Sequence, residues 1–304
     1  MRRDSRGISD FPLNEPDVAI DRRYMLFPLT SAALWGAMYV VSKYGFSTVP
    51  PMAAGVARCA IGAAALLAAL RFAGGGPFPE SRRMGPRLGV WIAITIVMQF
   101  YGTDLSDAHI GALVSSAAPL ATVLLGAVLL DERPSWVQGL GIAIGVIGFA
   151  VVVGSGSALD ARSRWGVLLL LLSAVSWALY TVDGVRAVRA EGALPVSAWA
   201  AAWGCLFLVP PAIVESFFRH TTFDLRALGV VLYLGLGATA LAWYLWYKGV
   251  ERLPAWLASL SFFAQPVVGA LLGALWLGER LGATFYAGGT LVMCGVLLAA
   301  WGSR

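Results

Sequence analysis

Arg58 falls several residues inside an apolar run spanning 51–71, where an uncompensated charge is costly and by default marks function. A guanidinium over a cavity would hold a carboxylate or phosphate group. The alternative is a long side chain snorkelling to an interface or bonding a helix carbonyl. Lys43 lies nearer the end of its run, and snorkelling suits it better. Aromatic residues gather around the same depth: Trp35 and Tyr39, Trp177 and Tyr180, Phe100 and Tyr101, the group Trp243, Tyr244, Trp246 and Tyr247, and Phe262 with Phe263. Trp35 and Tyr39 stand four apart and so share one helix face. Such a cage suits stacking on rings or enclosing apolar groups. Interfacial belts are the competing use of Trp and Tyr, so Trp243 to Tyr247 read as belt or gate, and Trp35 and Trp177, nearer mid-span, read as cavity. Among the uncharged polar residues at depth are Gln99, Ser115, Ser116, Thr122, Ser261 and Gln265. They would hydrogen-bond a zwitterionic solute or glue helices together, with Gln99 and Gln265 carrying the bulkier groups. The candidate binding set is Trp35, Tyr39, Arg58, Gln99, Tyr101, Ser115, Trp177, Tyr180, Trp243, Phe262 and Gln265. Pro119 and Pro266 free backbone carbonyls within apolar runs and read as hinges.

Other chemistry finds less support. The chain has no HExxH, no GxSxG and no paired mid-span carboxylates, so an intramembrane enzyme lacks its parts. Cys59, Cys205 and Cys294 sit singly in apolar runs without ligand spacing, which argues for no metal and no disulfide framework. No cofactor is expected. Asp104, Asp107, Asp183 and Glu215 lie toward span ends, which argues against proton antiport through a buried acid. His109 and His220 both fall near the outer face and form no relay.

The elements that must position these residues follow from composition. Of 304 residues 59% are hydrophobic and 13% charged, and the mean hydropathy is +0.75. A soluble domain carries about 25% charged residues. Bilayer is the natural solvent. The net charge of +5 does not indicate nucleic acid, because the basic residues cluster beside apolar spans. With about 20 apolar residues needed per crossing, the chain divides into ten transmembrane helices at about 24–47, 51–71, 87–105, 109–130, 135–154, 165–185, 195–215, 226–247, 254–278 and 282–302. The expected class is all-α integral membrane, after a polar cytoplasmic tail over 1–23. The Lys and Arg count is 15 on the side of the N-terminus against 6 on the other, which puts both termini in the cytoplasm.

The chain also resembles itself. Leu113 to Arg133 (LVSSAAPLATVLLGAVLLDER) recurs 147 residues later as Leu260 to Arg280 (LSFFAQPVVGALLGALWLGER), with ten of 21 positions identical. Pro119 pairs with Pro266, Glu132-Arg133 with Glu279-Arg280, and onward Gly141 with Gly288 and Gly148 with Gly295. Ser31, Ala32 and Trp35 recur at a displacement of 142 as Ser173, Ala174 and Trp177. The Glu-Arg pairs read as caps of short turns. Gly141 with Gly145, and Gly269 with Gly273, form GxxxG patterns suited to close helix packing. Two halves, 24–154 and 165–302, would each hold five helices, and an odd number inverts the second copy. Inverted repeats place a site near the midplane between them, exposed to alternate sides as one half rocks.

The Pro-containing helix, the following Gly, the Glu-Arg turn and the Gly-rich next helix resemble the EamA-type repeat of the drug/metabolite transporter superfamily, from Leu26 to Trp301. The resemblance implies a ten-helix inverted-repeat transporter of the bacterial inner membrane. It also implies a central cavity lined by helices 1, 3, 4, 6, 8 and 9. Members move amino acids, metabolites and drug-like amphiphiles, mostly outward, and the aromatic content points to amino-acid exporters of the YddG type. A nucleotide-sugar carrier would want more cations at depth than Arg58. A membrane scaffold or sensor without transport would leave the repeat and the aromatic cavity without purpose. The partners expected are a small-molecule substrate and lipid, in a monomer or homodimer.

Overall fold

A computed structural model describes residues 22–76, 79–116, 118, 120–121, 135–154, 160–222, 224–253, 258 and 260–301. Pro119, Thr122, Glu132 and Arg133 lie outside these residues. Among the described residues all regular structure is helical: α1 (Leu26–Gly45), α2 (Pro51–Phe72), α3 (Pro79–Leu105), α4 (Ala108–Ser115), α5 (Trp136–Gly154), α6 (Ala161–Glu191), α7 (Ala193–Ser216), α8 (Leu225–Val250, combining three consecutive helical segments), α9 (Ala264–Leu277) and α10 (Ala283–Trp301). Six of them, α1, α2, α3, α6, α7 and α8, contain stretches long and apolar enough to cross a bilayer, and shorter apolar stretches cover Trp136–Gly148 and Ala264–Leu277.

Local signals set several ends. Pro50 caps α2 and Pro51 opens it, a position where the missing N–H costs nothing. Asp160 and Asp224 cap α6 and α8 by accepting from the Ser163 and Ala227 N–H groups, at 2.8 and 2.7 Å. Gly192, at φ 89°, stops α6 and turns the chain straight into α7, a conformation that favours glycine.

Other helix ends are capped from far along the chain. Glu215 accepts from the N–H groups of Met52 (2.7 Å) and Ala53 (3.2 Å) at the start of α2. Glu191 does the same for Glu80 and Ser81 on α3, both at 2.9 Å, and Glu279 for Ala108 (2.7 Å) and His109 (3.0 Å) on α4. Glu251 accepts from Ala193 N–H on α7. Each carboxylate satisfies orphaned first-turn donors at the positive end of a helix dipole. Glu279 is therefore no cap of its own turn, as expected above, but a tie from the second half of the chain to the first. Lys43 is the mirror case. Its ammonium donates to the carbonyls of Thr103, Asp104 and Ser106, at 3.2, 3.0 and 2.5 Å, at the C-terminal end of α3. It stays in the protein rather than snorkelling to water.

Glycine sets the closest helix contacts. On α5, a Cβ at Gly148 would lie 2.7 Å from the Gly288 carbonyl and 2.7 Å from the Val292 nitrogen of α10. On α10, a Cβ at Gly295 would lie 2.5 Å from the Gly141 carbonyl and 2.5 Å from the Gly145 nitrogen. The displacement of 147 exchanges these two contacts. Late residues of each helix meet early residues of the other, so α5 and α10 pack antiparallel as reciprocal mates. Other contacts cross between halves in matched pairs, α1 with α8 and α9 beside α6 with α3 and α4, and α2 with α8 beside α7 with α3, while α2 meets its own repeat mate α7 and α4 meets α9.

Candidate functional site

A narrow cavity lies between the halves, lined by Trp35, Met38, Tyr39, Arg58, Ile92, Thr95, Ile96, Gln99, Ser115, Ala118, Ser173, Ala174, Trp177, Trp243, Phe262 and Gln265. All of the lining except Gln99 and Trp177 is buried, so the cavity is largely closed.

Arg58 reaches it through close packing. Gly62, one turn further along α2, brings that helix against α8, where an added Cβ would lie 2.9 Å from the Thr239 Cβ and 3.2 Å from the Gly235 carbonyl. In α8 the stretch Tyr233–Leu241 is a π-helix. The Ala242 N–H bonds the Gly237 carbonyl, five residues back, where an α-helix would use Ala238. The Ala238 carbonyl accepts from two side chains instead, Trp35 Nε1 at 3.0 Å and Arg58 Nη2 at 3.3 Å. Arg58 also donates from Nε to the Thr239 hydroxyl at 2.9 Å and from Nη1 to the Met38 thioether at 3.1 Å. Its guanidinium lies 5.2 Å from the centroid of Phe100 and 6.0 Å from that of Trp243. Arg58 is 2% exposed, which excludes snorkelling. Among the described residues no carboxylate pairs with it. Helix carbonyl, hydroxyl and ring faces hold the charge in place and leave it uncompensated.

A hydrogen-bonded chain forms the neighbouring wall. Gln99 Nε2 donates to the Tyr39 hydroxyl at 2.7 Å, and the Tyr39 and Ser115 hydroxyls bond to each other. This joins α3, α1 and α4. Gly111 lets Tyr39 lie against α4, since a Cβ there would fall 2.7 Å from its ring.

Rings make the other wall. Trp35 and Trp177 meet edge to face with centroids 4.9 Å apart, Phe262 stacks on Trp35 at 5.9 Å, and Trp246 packs against all three at 5.0–6.3 Å. Offset and edge-to-face pairs of this kind contribute about 0.5–1.5 kcal/mol beyond area burial. Trp243, Trp246 and Tyr247 are fully buried, so they are no interfacial belt. Three buried polar atoms on the lining have no partner: Trp177 Nε1, Thr95 Oγ1 and Gln265 Oε1. Unpaired buried polar groups are expensive, and all three belong to residues that line the cavity.

Nine of the eleven candidate residues line the cavity, and Tyr101 and Tyr180 do not. Tyr101 is two positions after Gln99, and the helical period turns it to another face, toward Asp104, Glu215 and Arg219. Tyr180 lies three positions after Trp177 and packs behind it at 5.0 Å, against Trp243 and Tyr247. Thr95 and Ser173 were not among the candidates. Each stands four residues before a candidate, Gln99 and Trp177, and the shared face was the available signal. Ser116 and Ser261 bond the local carbonyls of Leu113 and Ala258, at 2.6 and 2.7 Å. Pro266 sits in the first turn of α9, immediately after the 3-10 turn Leu260–Phe263, so helix type changes just ahead of it.

The ends of the bundle are tied by charge. Arg87 forks onto Asp183 at 2.6 and 2.7 Å, joined by Trp91 Nε1 at 2.7 Å. Asp104 takes Arg219 at 2.9 Å and Arg162 at 3.7 Å. His109 Nδ1 meets Glu279 at 2.7 Å. Burial would raise the Glu279 carboxyl, but bonds from His109 and from the Ala108 and His109 N–H groups outweigh it and hold the acid below its ordinary range.

Reciprocal contacts between two related halves, a buried cavity between them and a cation in it that no described carboxylate pairs are features of a membrane carrier. The model of the EamA-like transporter family matches residues 22–154 and again 164–301, and the chain belongs to that family. It is similar, at 26% identity over 91% of its length and 98% of the relative, to an uncharacterized transporter of Archaeoglobus fulgidus. A probable amino-acid metabolite efflux pump of Escherichia coli is 25% identical over 94% of this chain and 97% of that protein. A probable terminal-alkyne amino-acid exporter of Streptantibioticus cattleyicolor is 32% identical over 66% and 67%. A solved crystal structure shares the fold at a TM-score of 0.65 and 23% identity, covering 91% of this chain and 96% of that one. The protein is a multi-pass membrane protein of a transporter family.

Proposed function

We propose that the protein exports amino acids or related carboxylate-bearing metabolites by alternating access, through ten spans arranged as two inverted five-helix repeats with both termini in the cytoplasm. The reciprocal antiparallel contact of α5 with α10 supports the inversion, because a twofold axis across two antiparallel spans lies in the membrane plane. The observation that carries the solute class is Arg58, an unpaired cation in a closed cavity walled by indoles. A carboxylate would take the guanidinium as a fork, and an apolar or aryl side chain would lie on Trp35, Trp177 and Phe262. A single cation suits one carboxylate better than the two phosphates of a nucleotide sugar. The names of the relatives, transporters and efflux pumps, support a carrier rather than an enzyme.

The test is flux in proteoliposomes of purified protein, with a panel of labelled amino acids, N-acylated amino acids and nucleotide sugars. Carboxylate-bearing aryl solutes are expected to cross faster than in empty vesicles. Trp177→Ala should reduce their flux by about tenfold, the loss of one ring contact and part of its burial. Flux equal to that of empty vesicles for every solute would end the carrier reading.

A further inference from the structure

The lining is lopsided in charge. It holds one permanent cation and, among the described residues, no acid. The described carboxylates with assigned partners are committed at span ends: Glu191, Glu215, Glu251 and Glu279 cap helices, and Asp104 and Asp183 hold arginines. A zwitterion's ammonium needs acceptors for three N–H groups, and it would sit in the same chamber as Arg58. The lining acceptors without a partner, Gln265 Oε1 and the Thr95 hydroxyl, are both neutral. Ring faces do not replace an acid: Phe262 lies over Trp35 at 29° interplanar, and Arg58 already occupies Phe100 and Trp243.

For a solute without an ammonium the same groups fit. The Met38 thioether on Arg58 Nη1 is a weak acceptor that a carboxylate oxygen would displace. An acylated nitrogen presents one N–H and one carbonyl. Gln265 Oε1 and Trp177 Nε1 are one free acceptor and one free donor on the lining.

Resting on the reading of this cavity as the transport site, we infer that it selects net anions: a carboxylate at Arg58 joined to an apolar or aryl body whose nitrogen is acylated or absent, over free amino acids. The test uses the full chain in proteoliposomes at pH 6 and three solutes that share a phenyl group. These are N-acetylphenylalanine (an anion), phenylalanine (a zwitterion) and phenylalanine amide (a cation). Flux of the N-acetyl compound should exceed that of phenylalanine by about tenfold, with the amide no faster than in empty vesicles. Arg58→Gln should erase the preference, and Arg58→Lys, which keeps the charge, should retain part of it. Quenching of tryptophan fluorescence in detergent should follow the same order. Phenylalanine moving as fast as the N-acetyl compound, or faster, would overturn the inference while leaving the carrier standing. Failure of all three to exceed empty vesicles would remove both.

Discussion

The first half of the chain lines the cavity with its cation and its hydrogen-bonding chain, Arg58 and Gln99–Tyr39–Ser115. The second half lines it with the rings of Trp177, Trp243 and Phe262, and supplies the π-helix that receives Arg58. The packing surfaces of the halves are reciprocal, while the linings match only in part, at the repeat mates Trp35 and Trp177. Gly148 and Gly295 exchange under the repeat, and so do the cross-half helix pairs. Tyr39, by contrast, stands 142 residues before Thr181, whose hydroxyl bonds its own helix at Trp177 O. Symmetry is kept where the backbones of the two halves meet, and mostly lost along the lining. A single small molecule has no twofold axis to match.

The largest break in this comparison is Arg58→Gln. It removes the one cation of the described lining and leaves the glycine contacts of α5 with α10 intact, and flux of carboxylate solutes should fall about a hundredfold, within the 2–5 kcal/mol expected for truncating one member of a desolvated charge pair. Detergent melting temperature should stay level or rise, since an uncompensated charge leaves the interior. A matched loss of flux and melting temperature would mean Arg58 is structural. Next come Gly148→Val and Gly295→Val. Each drives a side chain into the backbone of the opposing helix, and each should cost about 1–3 kcal/mol or more, by equal amounts if the contact is reciprocal. Unequal losses in thermal unfolding would break the symmetry half of the comparison.

Glu279 sharpens the account of the outer tie between halves. Its folded-state value lies below the ordinary 4.5, so its contribution to stability is present above that value and lost as pH falls through the lower folded one. Melting temperature should therefore drop on the acid side, and Glu279→Gln should flatten that drop. An unchanged acid limb in the variant would show that other groups cause it. The smallest effect belongs to Tyr39→Phe. It removes one hydroxyl that joins Gln99 and Ser115, about 0.5–1.5 kcal/mol per bond, and should raise KM a few-fold with maximal flux retained.

Much of this was readable in the sequence because membrane depth and helical face are local properties. Arg58, Trp35, Tyr39, Gln99, Ser115, Trp177, Trp243, Phe262 and Gln265 reach the cavity from a period and a position along a span. Tyr101, two positions from Gln99, is turned to another face, while Tyr180, three after Trp177, shares its face and packs behind its ring. What stayed hidden depends on pairs distant in sequence. Nothing near Glu215 announces that it caps a helix beginning at Pro51, 163 residues from its partner Met52. Nothing near Lys43 points to the carbonyls of α3. The π-helix at Tyr233–Leu241 carries no proline to mark it, and Thr239, bonding back to Leu234, looks like any span threonine.

The most direct measurement asks whether the cavity opens to both sides. With Cys59, Cys205 and Cys294 replaced by alanine, single variants Thr95→Cys and Ser173→Cys place one thiol on the lining from each half. Membrane-impermeant thiol reagents are then applied separately from the cytoplasmic and outer faces, with and without transported solute. Each thiol should be labelled from either face, and solute should shift the balance between them in the same direction at both positions. Labelling from one face only, unchanged by solute at both positions, would contradict a chamber that alternates between the two sides of the membrane.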